Sequence, residues 1–402
     1  MEKRILFVDD EKNIINGLRR MCRAMRDKWE CFFVEGGEEA LTFLGENSVD
    51  VIVSDMRMPG MNGAELLSIV RDRHPDTIRI ILSGHSNQEM ILQSVKSAHQ
   101  FLLKPCTLEA LRNTIERTFL LRSLLNEESL VRLVTGGKGL PSLPTLYIKL
   151  LNEIQSSDAS LKSVGDIIAK DVAMSAKVLR IVNSAFFSLP QKISNPHQAT
   201  TFLGLDILKA LIIQVELFSV SQSKSRVEQA FLRNLWSHSM FTGYLAREIT
   251  KNVAEDKKVY DEALISGMLH DIGKLLLLEK GDYLKQVKDL SLKNECSELD
   301  AEKELYRSSH AEVGAYLLGL WGFSDAIIEA VAFHHKPSAL AGAEFRPLTA
   351  VHVANVLAKK KAYIGSPSVV AAIDDQYLQK LNLKDKLTEW AVMGNFIEEV
   401  DF

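Results

Sequence analysis

Five short apolar runs, at residues 4–8, 31–34, 51–54, 78–83 and 101–104, punctuate about the first 120 residues of this chain, and none recurs after Gly139. Each run is β-branched or aromatic in character and is followed by a stretch with helical spacing, as with Ile14, Leu18, Met21, Cys22 and Met25. Strands that alternate with helices predict a parallel sheet covered on both faces. A chain of 402 residues has room for two or three domains. The change of pattern divides it into an α/β domain over 1–122, a helical connector over 123–139 and an all-α domain of many short helices over 140–402. The core of the last domain spans about 140–340, with an amphipathic helical tail behind it. Leu108, Leu111, Ile115, Phe119 and Leu124 line one face of a helix predicted over 107–133. That stripe can pack on the second domain or on another subunit of a homodimer. Thr135-Gly136-Gly137-Lys138-Gly139 breaks it. Further breaks are predicted at Ser188-Leu189-Pro190, Ser194-Asn195-Pro196 and Pro337.

Composition removes several function classes. A net charge of −4, and the absence of a helix-turn-helix with a basic face, argue against direct DNA binding. No apolar run approaches the roughly 18 residues of a membrane span. Met1-Glu2-Lys3-Arg4 leads straight into a strand, with no signal-peptide core. Cys22, Cys31, Cys106 and Cys296 are scattered and read as reduced thiols, so a cytoplasmic protein is expected.

In open parallel sheets, ligands bind at the carboxyl ends of the strands. Asp9 and Asp10 follow the first run and Asp55 follows the third, so three carboxylates converge and call for a hard cation such as Mg²⁺. Ser83 and Lys104 end the fourth and fifth runs, where a hydroxyl and an ammonium can contact an added phosphoryl group. Such a cleft suits phosphoryl transfer to a carboxylate, which needs mainly positioning and charge neutralisation.

Phe7-Val8-Asp9-Asp10-Glu11, the segment from Ser54-Asp55-Met56 to Gly63, Leu82-Ser83-Gly84-His85 and Leu103-Lys104-Pro105 together resemble the receiver domains of two-component response regulators. The resemblance implies a flavodoxin-like, doubly wound, five-stranded fold phosphorylated by a sensor histidine kinase or phosphotransfer protein. It implies Asp55 as phosphoacceptor, and Mg²⁺ held by Asp9, Asp10, Asp55 and the Met56 backbone. It also implies Ser83 and Lys104 as phosphoryl contacts, a cis bond before Pro105, and Phe101 as the switch aromatic. Phenylalanine there, rather than the family's tyrosine, removes a hydroxyl and keeps the ring.

Ten histidines occur, and five of them, with one aspartate, form an ordered set: His238, His270-Asp271, His310 and His334-His335. Imidazole with carboxylate is a transition-metal composition, open to Fe, Mn or Zn. A polar core of mutually bonded histidines is the alternative. The order resembles the HD superfamily of metal-dependent phosphohydrolases, with Lys274 one turn beyond Asp271. The closing aspartate of that family is replaced by Asn355, with His352 nearby as a substitute ligand. Lys336-Pro337-Ser338-Ala339 stands where the phosphodiesterase branch has its Gly-Tyr-Pro signature. Leu140-Pro141-Ser142-Leu143-Pro144, Ile167-Ile168-Ala169-Lys170-Asp171, the segment Leu179-Arg180-Ile181-Val182-Asn183-Ser184-Ala185-Phe186-Phe187 and Leu203-Gly204-Leu205 resemble the HDOD family, all-helical relatives of HD proteins found in signalling. Asn183-Ser184 is expected to cap a neighbouring helix. The resemblance implies an output domain that binds a downstream protein or nucleotide, against the alternative of a phosphorylation-gated metal phosphohydrolase acting on a cyclic dinucleotide or nucleotide.

Overall fold

The computed structural model describes residues 3–23, 25, 28–84, 97–104, 107–122, 130, 145–154, 160–183, 193–219, 225–340, 344–362 and 372–395. The chain divides into two compact units, with the main boundary between Asp158 and Ala159.

The first unit is built on strands β1 (Lys3–Val8), β2 (Trp29–Val34), β3 (Val51–Asp55), β4 (Ile78–Gly84) and β5 (Gln100–Lys104). They form one parallel sheet in the order β2-β1-β3-β4-β5. Every residue of β3 is buried, which is why it reads as a continuous apolar run. Helices α1 (Lys12–Arg23), α2 (Gly37–Glu46), α3 (Gly63–Arg73) and α4 (Leu108–Arg122) accompany the sheet. In α1 the fully buried positions are Ile15, Leu18 and Cys22. The expected stripe is therefore rotated by one residue: Ile14 is only half-buried, and Met25 lies beyond the helix end. Asn62 and Glu65 form a reciprocal capping box at the start of α3, worth about 1 kcal/mol. Helix α4 buries Leu111, Ile115 and Phe119 as its periodicity predicts. Leu124 and the glycine break at 136–139 lie outside the described residues, as do Ser188-Leu189-Pro190.

Register places the site. Val8 pairs with Ser54, Asp55 with Leu82, and Gly84 with Lys104. The carboxyl ends of β1, β3, β4 and β5 therefore share one edge of the sheet, and Asp9, Asp55 and Lys104 emerge there.

The second unit is helical among its described residues. After α5 (Thr145–Ile154), which belongs to the first unit, come α6 (Leu161–Ala169), α7 (Val172–Val182), α8 (Pro196–Leu203), α9 (Leu205–Ser219), α10 (Arg226–Lys251), α11 (Lys257–Leu269) and α12 (Gly273–Leu277). These are followed by α13 (Tyr283–Asn294), α14 (Glu298–Tyr306), α15 (His310–Leu320), α16 (Asp325–Phe333), α17 (Pro347–Ala362), α18 (Asp375–Lys380) and α19 (Leu387–Asn395). The breaks predicted at Ser194-Asn195-Pro196 and Pro337 are present: Pro196 opens α8 behind its N-cap Asn195, and Pro337 starts a 3₁₀ turn.

Of the expected capping pair, Ser184 lies outside the described residues and Asn183 does not cap the neighbouring helix. It ends α7 and clamps the next segment, donating to the carbonyls of Leu179 (2.8 Å) and Ile193 (2.7 Å) and accepting from the Ile193 amide (2.7 Å). Asn195 caps α8 by itself, so Asn183 fixes the path into that cap.

The core that carries the histidines forms around α10, α11, α16 and α17, with Leu245, Ile249, Val351, Ala354 and Trp390 fully buried. Helices α10 and α11 cross where Gly243 faces Gly267; a Cβ on Gly267 would lie inside contact distance of the Gly243 backbone. That close crossing brings the rings of His238 on α10 and His270 at the end of α11 to 5.1 Å between centroids.

Candidate functional sites

In the first unit, the Lys104 ammonium bridges two carboxylates. Its Nζ lies 2.9 Å from Asp9 Oδ2 and 2.7 Å from Asp55 Oδ1. The other oxygens are held by backbone: Asp9 Oδ1 accepts from the Glu11 amide (2.9 Å) and Asp55 Oδ2 from the Arg57 amide (3.1 Å). Burial pushes the Asp55 pKa up, and this outweighs the lowering by Lys104. Burial works against the Lys104 charge, but its bonds to Asp55 and Asp9 prevail and raise its pKa. Asp10 is half-buried beside them. The Met56 carbonyl accepts from the Gly63 amide (3.0 Å) and keeps its second lone pair. Gly63 must be glycine, because a Cβ there would collide with the Asp55 carbonyl. Oxygen donors converging on one buried point suit Mg²⁺. Ser83 and Phe101 contribute backbone to β4 and β5; their side chains, and Pro105, lie outside the described residues.

In the second unit the ordered histidines do converge. His270-Asp271 follows α11, Lys274 lies in α12, His310 opens α15, His334-His335 follows α16, and His352 and Asn355 lie on α17. Gly273 makes this possible: a Cβ there would collide with the His310 carbonyl, so only glycine lets these two turns meet. Asp271 sits at the centre. Its Oδ2 accepts from Lys274 Nζ at 2.8 Å and lies 3.4 Å from His270 Nε2 and 3.9 Å from His238 Nε2. Its Oδ1 is 3.0 Å from His310 Nε2, out of hydrogen-bonding geometry, and 3.8 Å from His334 Nε2. Ligand atoms of Asp271, His310, His334 and His335 all lie within 4.8 Å of one another, as do those of His238, His270 and Asp271.

The outer atoms of these rings are anchored. His270 Nδ1 donates to the Gly267 carbonyl (2.7 Å) and His334 Nδ1 to the Val331 carbonyl (2.8 Å). His310 Nδ1 donates to Glu302 Oε2 (2.6 Å). Such donors orient a ring and leave Nε2 as a bare lone pair. The Nε2 atoms of His270 and His334, and Asp271 Oδ1, are buried without a hydrogen-bond partner. Buried polar atoms are nearly always satisfied, so three orphans gathered around one carboxylate fit a bound cation.

Glu302 is a site residue that the sequence reading missed. It is fully buried on α14, accepts from the His310 amide (2.8 Å) and ring, and is gripped by Tyr283 Oη (2.5 Å). Its signal was an acid beside the buried Ala301 and on the same helix as Tyr306. Lys359, one turn beyond Asn355 on α17, was missed too; burial and the Lys274 charge lower its pKa. His352 is not free to replace a ligand. Its Nδ1 donates to the His334 carbonyl (2.8 Å) and its Nε2 accepts from the Asp374 amide (2.9 Å), so it braces His334.

The electrostatics give a stability prediction. Burial, together with neighbouring histidine charge, holds His238, His334 and His335 well below 6.5. They stay neutral in the folded protein but take up protons on unfolding once pH drops below about 6.5. For His310 burial opposes the charge, yet Glu302 prevails and raises its pKa. Its contribution is complete below 6.5 and is lost as pH rises through its folded value, so it does not offset the others in acid; Glu216, which burial pushes up to about 7, does oppose them, as one carboxyl against three imidazoles. Each net proton taken up on unfolding costs about 1.4 kcal/mol per pH unit. Chelator-treated protein is therefore expected to show an output-domain unfolding midpoint that falls steadily from pH 7 to pH 5; a flat or rising midpoint would contradict these assignments.

Comparison with known proteins agrees with both halves. The response regulator receiver domain family matches residues 5–116, and the HDOD domain family matches residues 140–337. The chain thus carries an N-terminal receiver domain followed by an HDOD domain. An uncharacterized protein of Treponema pallidum is 26% identical over 211 residues, covering 52% of this chain and 40% of its own length. The hydrogenase transcriptional regulatory protein HoxA of Cupriavidus necator is 36% identical over 115 residues, covering 28% of this chain and 23% of its own length. The chain thus spans less than half of either relative. A solved structure, a candidate phosphohydrolase of Shewanella amazonensis, is 22% identical with a TM-score of 0.50, covers 67% of this chain and 94% of its own, and shows the fold alone. No helix among the described residues is long and apolar enough to cross a membrane.

Proposed function

We propose that this chain is a phosphorelay response regulator in which phosphorylation of Asp55 switches the HDOD domain, and that this domain serves as a binding module for a downstream protein or nucleotide. The observation that carries the reading is the Lys104 bridge between Asp9 and Asp55. It holds a carboxylate in place for attack on phosphorus and positions a cation for the arriving charge. Asp55 supplies the nucleophilic oxygen, while Lys104 and the Ser83 hydroxyl take phosphoryl oxygens. Asp9, Asp10, Asp55 and the Met56 carbonyl would hold Mg²⁺, which supplies charge neutralisation for transfer from a histidine kinase or phosphotransfer partner. The domains are taken as 1–122, 123–139 and 140–402, in the cytoplasm.

In the HDOD domain, Asn355 Oδ1 lies 3.0 Å from His238 Nε2, where a closing carboxylate would be needed. An amide there lowers the charge available to hold a hydrolytic centre. The partnerless Asp271 Oδ1, His270 Nε2 and His334 Nε2 favour the second reading, a phosphohydrolase using Fe, Mn or Zn. Turnover of cyclic di-GMP and of a generic phosphodiester by metal-loaded, phosphorylated protein separates the two. Background rates are expected; turnover lost in His270→Ala with Asp271→Ala would make the domain a hydrolase.

A further inference from the structure

We propose that the histidine cluster holds one metal ion, in the half formed by Asp271, His310, His334 and His335, and that Asn355 shuts the other half. The inference rests on reading the cluster as a metal centre and concerns which part of it is open. Two asymmetries support it.

The first is in the carboxylate. Asp271 Oδ2 faces His270 and His238 and is already bound to the buried Lys274 at 2.8 Å. Oδ1 faces His310 and His334 and has no hydrogen bond. A cation approaching Oδ2 competes with an ammonium in place; one approaching Oδ1 meets the His310 ring nitrogen at 3.0 Å, a group that would itself be a ligand.

The second is in the rings. His334 presents a bare Nε2, because its Nδ1 carries the proton to the Val331 carbonyl, and His310, whose Nδ1 turns to Glu302, has its Nε2 against the ring nitrogen of His335. In the other half His270 Nε2 is bare as well, so the difference lies in His238. Its Nε2 is tied to the Asn355 side chain at 3.0 Å. Turning the amide over does not free it: the ring then accepts from the amide nitrogen instead of donating to the oxygen. A carboxylate at 355 would differ, because it accepts the cation that an amide only weakly attracts.

The open half offers three imidazole nitrogens and one carboxylate oxygen, a four-donor set suited to a d-block divalent ion such as Zn²⁺ or Co²⁺. The Glu302–His310 pair is the carboxylate–histidine support expected around such an ion. His335 approaches to 3.0 Å between its Nε2 and that of His310, a contact that an ion between them would replace.

The test uses the full chain, stripped with chelator, kept in excess Mg²⁺ to occupy the receiver, and titrated with Co²⁺. Elemental analysis after desalting and the ligand-field absorption of bound Co²⁺ are the readouts. The wild-type chain is expected to hold one Co²⁺, His238→Gln one with an unchanged spectrum, His334→Gln none, and Asn355→Asp two. Should His334→Gln fail to fold by circular dichroism, His335→Gln tests the same half. Two ions in the wild type, or one that survives His334→Gln and vanishes in His238→Gln, would overturn the assignment of halves. No bound Co²⁺ in any variant would overturn the metal reading on which it rests.

Discussion

Asp55→Asn is expected to gain no phosphoryl group from a small phosphodonor in the presence of Mg²⁺, whereas the wild-type chain gains one. The expectation follows from the strand register. Only Asp55 combines a place at the end of β3 with an oxygen 2.7 Å from the Lys104 ammonium and a partner acid, Asp9, held by that same ammonium. An amide cannot supply the nucleophilic oxygen, so the loss should be complete rather than partial. Intact mass reads it directly. Labelling of Asp55→Asn to the wild-type extent would move the acceptor elsewhere.

Asp271→Ala should be among the most damaging single changes in the second unit of chelator-treated protein. The Asp271 and Lys274 side chains are 0% and 8% exposed and 2.8 Å apart. Truncating the acid leaves a buried ammonium uncompensated, a loss on the order of 3–5 kcal/mol. The pair itself contributes far less than its breakage costs, because removing both charges removes both desolvation penalties. Adding Lys274→Met to Asp271→Ala should therefore recover most of the stability. Denaturant unfolding of the wild-type chain and both variants measures this. An Asp271→Ala chain within 1 kcal/mol of wild type would mean that the pair is better hydrated than its burial indicates.

The receiver was legible because its chemistry sits at strand ends, and strands of this kind are visible as apolar runs. The sequence alone places Asp9, Asp55 and Lys104 on one edge. What Lys104 does without a phosphate was not legible: it neutralises two acids whose mutual distance only the sheet register fixes. The one-residue rotation of α1 toward Ile15 has the same origin, since Ile14 and Ile15 are chemically alike and only packing chooses between them.

In the helical unit the histidine order survived, but the supports did not show in the sequence. Glu302 reaches His310 across a turn whose closeness depends on Gly273, a constraint set by helix packing rather than by spacing. Asn183 stands near a helix end, where a cap is expected, and it works instead as a clamp on Ile193, ten residues on. His352 has the residue type of a spare ligand, but backbone groups engage both of its nitrogens.

The phosphorylation state of Asp55 is expected to reach the HDOD domain. Hydrogen exchange on the full chain, with Mg²⁺ and with or without beryllofluoride as a phosphate mimic, tests it most directly. Helix α4 begins four residues after Lys104 and precedes the HDOD domain in the sequence, so the segment that joins them is the expected two-state element. Altered exchange over 107–139 and within 140–402 is predicted in the wild-type chain, with no change in Asp55→Asn. Identical exchange with and without the mimic, in a wild-type chain whose receiver has bound it, would contradict the claim.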